Sequence, residues 1–89
     1  MLTRRVRITG RVQGVFFRAW TRDEARRLGL LGWVRNCSDG SVEVHLQGDR
    51  SQVRWMIDKL AYGPAGARVD SAEARDAEPE NLSGFEVRG

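Results

Sequence analysis

A chain of 89 residues has room for one hydrophobic core, which excludes a multidomain machine, and folding at this size buries about 64% of the unfolded surface, enough for two layers without disulfide staples. Hydrophobic residues at 40% and charged residues at 30% form an ordinary globular balance and exclude wholesale disorder. The net charge is +3, and 14 of the 15 cations are arginines, with Lys59 the exception; guanidinium forks suit a phosphate or carboxylate partner, and equally a solvated surface.

From Arg5 to Val12, apolar Val6, Ile8 and Val12 alternate with polar residues, which predicts a strand with one buried face. After Gly10 and Gly14, Phe17, Thr21, Ala25 and Leu28 recur at helical spacing until Gly29 stops them. Leu31–Asn36 and Ser41–Gln47 read as two strands around Cys37-Ser38-Asp39-Gly40, which carries the Asp-Gly signal of a tight hairpin, with Val42, Val44 and Leu46 facing one way. Asp49 and Gln52 have capping-box spacing ahead of a second helix on Val53, Met56, Ile57 and Leu60, ended by Gly63-Pro64. Ala67–Arg75 is read as an edge strand, although Ala72, Glu73 and Ala74 also suit a helix. Asp76–Gly84 drifts like a loop, and Phe85–Val87 forms a short last strand. No internal repeat or low-complexity stretch is present.

The order βαββαβ plus a terminal strand predicts an α+β, ferredoxin-like (split βαβ) two-layer sandwich: an antiparallel sheet covered on one face by two helices, with residues 1–89 forming a single domain. In that arrangement the first two strands run parallel with the third between them. The loop Gly10–Phe17 and Asn36 then meet at one sheet edge, about 10 Å apart.

Cys37 stands alone, which excludes a disulfide framework and a Cys-x-x-Cys metal knuckle. No apolar run has the length of a membrane span, and Met1–Arg5 leads into the alternating segment without a signal-peptide core. The expectation is a soluble cytoplasmic protein with no membrane partner.

Gly10-Arg-Val-Gln-Gly-Val-Phe-Phe-Arg18 joins a strand end to a helix start. Two glycines four apart let successive N–H groups turn inward, the helix dipole adds positive potential, and Arg18 can aim a fork into the same bowl, making an anion site of phosphate size. Val12, Gln13, Gly14, Val15, Phe16, Phe17 and Arg18 are the candidate phosphate-binding residues; an ordinary βα connection has the same spacing. The segment is neither a Walker A loop nor a dinucleotide fingerprint. Asn36 ends the second strand, where its amide has a water and a phosphate oxygen as candidate partners, or serves only the turn.

Gly10–Arg18, and Gly32-Trp33-Val34-Arg35-Asn36-x-x-x-Gly40-x-Val42 running on to Gly48, resemble the two signatures of the acylphosphatase family, separated by the spacing from Arg18 to Asn36. The resemblance spans Arg5 to about Val69. It implies an enzyme that hydrolyses small acyl phosphates to a carboxylate and inorganic phosphate without a metal or other cofactor. Carried over, Arg18 binds the phosphoryl group with the loop amides and Asn36 positions the attacking water; these two are the catalytic candidates. The carboxylate leaving group has a low pKa and needs no general acid, so positioning and electrostatics suffice. Proton transfer from water to the substrate's own phosphate fits the absence of a motif carboxylate or histidine.

Other polar residues read as structural. His45 is expected on the solvent side of the sheet, Cys37 as an exposed turn thiol, Asp23 and Glu24 on the outer part of the first helix, and Trp20, Trp33 and Trp55 in core or rim packing. The rival reading is an RNA-recognition module of the same βαββαβ order. It needs stacking aromatics where these strands offer Arg7, Thr9, Glu43, His45 and Gln47, so no nucleic-acid partner is expected. Similar domains begin larger carbamoyl-transfer enzymes; a chain of this length with its own Met1 favours the independent enzyme, and a monomer is expected.

Overall fold

In the computed structural model, which describes residues 1–89, the alternating first segment becomes strand β1 (Leu2–Arg11), and Phe17–Arg27 forms helix α1. There follow β2 (Leu31–Asn36), β3 (Val42–Gly48), α2 (Arg50–Tyr62), β4 (Arg68–Asp76) and β5 (Phe85–Arg88). Each helix stops where its sequence dictates. At the end of α1, Gly29 takes φ 71° and the N–H groups of Leu30 and Gly29 return to Ala25 O and Arg26 O at 3.0 and 3.1 Å, a Schellman closure. The Asp49 carboxylate accepts from Ser51 N and Gln52 N at 3.1 and 3.4 Å, a cap that stabilises α2 by about 1 kcal/mol.

The sheet order is β4-β1-β3-β2-β5. Strand β3 lies between β1 and β2 and pairs antiparallel with both, as the expected topology requires, and β4 is an edge strand paired along β1. The expectation of a purely antiparallel sheet is corrected by β5, which runs parallel to β2, Val34 opposite Val87 and Arg35 opposite Arg88. The chain leaves β4 at one edge, crosses the helix-free face, and joins the far edge in the direction of β2.

Fifteen buried apolar residues make one cluster, with Val6, Ile8, Val34, Val44 and Leu46 from the sheet meeting Phe17, Ala25, Val53, Met56 and Leu60 from the helices. Each of these side chains other than Ala25 stabilises by about 1.5–3 kcal/mol. Glu24, expected on the outside of α1, is instead buried, because its carboxylate accepts from Lys59 Nζ of α2 at 2.8 Å and pairs with Arg27 at 3.2 Å. The pair with Lys59, whose side chain stays a third exposed, is worth about 1 kcal/mol, so apolar burial, not the ion bridge, seats the helices. Trp55, expected to pack, is 57% exposed.

His45 is on the expected face but completely buried, contrary to the surface reading. The crossing segment covers it: the Glu80 N–H donates to Gln47 Oε1 and its carbonyl accepts from Gln47 Nε2, both at 2.9 Å. His45 Nδ1 accepts from Arg5 at 3.2 Å, which leaves Nε2–H to donate to Gln47 Oε1 at 2.9 Å. Trp33 stacks on His45 with centroids 5.6 Å apart.

Candidate active site

The β1–α1 loop begins at an irregularity in the sheet. Register between β1 and β4 shifts at Thr9/Gly10, and Gly10 takes φ 123°. A Cβ there would lie 2.2 Å from the Arg68 carbonyl oxygen, so only glycine allows the close approach that turns the chain off the sheet. Gly14 at φ 74° has open space around it and serves backbone conformation alone. Val12 and Phe17 are buried and pin the two ends of the loop in the core, with Val15 packed against it.

Phe16 is the one non-glycine residue with positive φ, at φ 62°, ψ 22°. A left-handed residue of this kind costs about 1–2 kcal/mol, and a ring 84% exposed recovers none of it by packing. Its carbonyl accepts from Trp20 N at 3.0 Å and starts the helix.

Gln13 ties the loop to the hairpin between β2 and β3. Its Nε2 donates to Cys37 O at 2.8 Å and to Ser41 O at 2.9 Å, which brings the loop and the Asn36 end of β2 to one sheet edge, as the topology predicts. Asp39 holds the hairpin shut by accepting from Ser41 N at 3.0 Å and Ser41 Oγ at 2.6 Å. The Ser41 hydroxyl and N–H, with Arg7 assisting, hold the Asp39 carboxyl down at about 2. Cys37 is half-buried, with its N–H donating to Ser41 O at 2.8 Å.

Arg18 stands in the first turn of α1, and its Nη1 donates to the main-chain oxygen of Gly89 at 2.6 Å. No Asp or Glu carboxylate lies within 4.0 Å of it, whereas nine of the 14 arginines have one. The Asn36 amide makes no hydrogen bond to the protein, and its Oδ1 is covered. Arg18 and Asn36 line adjoining cavities of about 400 and 380 Å³ that share no residue. Gly89 connects them, since it accepts from Arg18 and lines the Asn36 side. Strand β5 and the residue after it therefore form a wall of the candidate site through Val87, Arg88 and Gly89. Sequence reasoning found that strand and missed this placement, because four residues carry no signal of which neighbour they pair with.

On the helix-free face, Arg5, Arg35 and Arg88 stand 5.1–5.5 Å from the Trp33 ring centre, and each is paired: Arg5 with Glu80 at 3.0 Å, Arg35 with Glu43 at 2.6 Å, and Arg88 with Glu86 at 2.9 Å. Burial pushes the Glu43 carboxyl up, but hydrogen bonds from Arg35 and Arg75 outweigh it and leave the carboxyl below its ordinary value. The same Glu43 hydrogen bond raises the Arg35 guanidinium.

The family model for acylphosphatase matches residues 4–87. An acylphosphatase of Rhizobium etli is 58% identical over 78 residues, covering 88% of this chain and 83% of the relative. Among solved structures, an acylphosphatase from Coxiella burnetii superposes with a TM-score of 0.93 at 38% identity, covering 98% of this chain and 92% of the other. One from Bacillus subtilis gives 0.95 at 30% identity over the whole of both chains.

Proposed function

This chain belongs to the acylphosphatase family, and from that premise we propose how its own residues hydrolyse the carboxyl-phosphate bond. The family membership makes it a hydrolase of acid anhydrides. In the proposed mechanism the phosphoryl group lies in the Val12–Phe17 loop, where backbone N–H groups and the α1 dipole receive two of its oxygens, and the Arg18 fork takes up charge that develops in the transition state. The swing this asks of Arg18 exchanges one bond to Gly89 for charge-assisted bonds to phosphate. Asn36 holds the attacking water.

The step balances without a protein acid or base. The water oxygen forms a bond to phosphorus, the bridging P–O bond breaks with its electron pair leaving on the carboxylate, and the water proton passes to a phosphoryl oxygen, giving dihydrogen phosphate. The observation that supports this most is contrast. Arg18 has no Asp or Glu partner and the Asn36 amide no protein partner, while the neighbouring arginines at Trp33 are all paired with side-chain carboxylates. A covered amide oxygen without a partner costs about 1–3 kcal/mol, and a swing about the soft terminal torsion of Asn36 turns that oxygen toward a water.

In this reading all 89 residues serve as one domain, a monomer acting on small acyl phosphates in the cytoplasm, where a single unpaired Cys37 suits a reducing compartment. No helix is long and apolar enough to cross a membrane. The deciding assay follows benzoyl phosphate hydrolysis in excess EDTA for the wild type, Arg18→Ala and Asn36→Ala. The expected result is full wild-type turnover with both variants impaired; loss of wild-type turnover in EDTA would refute the metal-free step.

A further inference from the structure

In-line transfer at phosphorus sets the attacking and leaving oxygens on opposite faces. With water on the Asn36 side, a reading on which this inference rests, the acyl group departs on the other side of the loop. The cavity there holds Arg18 and shares none of its lining with the cavity of Asn36. It also holds two of the five large apolar side chains that the fold leaves exposed, Phe16 at 84% and Val87 at 38%.

We propose that Phe16, flanked by Val87, is the platform for the acyl group and gives the enzyme a preference for aromatic and other apolar acyl phosphates over acetyl phosphate. Phe16 has no structural employment: its ring is outside the core cluster, while its neighbours Val15 and Phe17 pack into that cluster. The left-handed backbone at Phe16 keeps the loop's one exposed ring on the cavity that Arg18 also lines. An acyl group with a second negative charge is not favoured. Of the arginines that would receive it, Arg5, Arg35 and Arg88 lie on the water side, Arg22 lines the acyl cavity, and all four already have carboxylates.

The test is the ratio of kcat/KM for benzoyl phosphate to that for acetyl phosphate, in which any change in loop strain or phosphate binding cancels. Phe16→Ala lowers that ratio about tenfold and Val87→Ala about threefold, while Phe16→Trp keeps it near the wild-type value. A ratio in Phe16→Ala within about twofold of wild type, beside a severe loss with both substrates in Arg18→Ala, overturns the acyl platform alone. Near-normal turnover in Arg18→Ala overturns the phosphate reading, and the platform with it.

Discussion

Two places in this small protein gather arginine, and they differ in what surrounds the guanidinium. Around Trp33, three forks lie over one indole, and each has a carboxylate. At the β1–α1 loop, the Arg18 fork has a single bond to a main-chain oxygen, the Asn36 amide has none, and the backbone at Phe16 is strained. Arginines paired with side-chain carboxylates gather on the helix-free face, whereas Arg18 has no such partner at the edge where we propose that the chemistry is done. A positive side chain is therefore informative through its partners, not through its charge.

The sharpest way to break this contrast is Arg18→Ala, which should lower kcat/KM about a thousandfold in a continuous acyl phosphate assay and leave the urea midpoint nearly unmoved. Trp33→Ala should do the reverse, costing about 3 kcal/mol or more of stability by urea unfolding, with kcat/KM of the folded fraction changed less than about tenfold; a folded but inactive variant would erase the distinction. Asn36→Ala should lower kcat about a hundredfold with a smaller change in KM, since a water is lost and the phosphate site is kept. Glu80→Ala releases the crossing segment and should cost about 1–2 kcal/mol, read as a lower thermal midpoint.

The smallest effect is the pH dependence of the hairpin. The folded Asp39 carboxyl titrates at about 2 where its ordinary value is 3.8, so its ionised form favours folding above about pH 4. That contribution disappears as the pH falls from about 4 toward 2. Urea midpoints for the wild type and Asp39→Asn should therefore converge over that interval, and a gap that stays constant would show that the titration of Asp39 is not its source.

The helical stripes, the alternation of β1 and β3 and the hairpin at Asp39-Gly40 were legible in the sequence, because each writes its period locally. Family membership was legible through the loop and Asn36 segments, which lie at one edge as the topology required. The cover over His45 was not legible. Alternation tells which side chains point away from the helices, not whether a later segment crosses them, and residues 77–84 have no period to betray where they go. The parallel pairing of β5 escaped for the same reason, and with it the wall that Val87 and Gly89 add to the site. Glu24 misled because its burial depends on Lys59, 35 residues later on another helix.

The two bonds of Gln13 reach beyond the loop that carries it. Surface hairpins usually tolerate insertions, but the carbonyls of Cys37 and Ser41 that receive Gln13 frame this turn on both sides. One residue added between them would spread those carbonyls and pull the β1–α1 loop out of shape. The length of a solvent-facing turn is thereby under the same constraint as the loop that we propose holds the substrate.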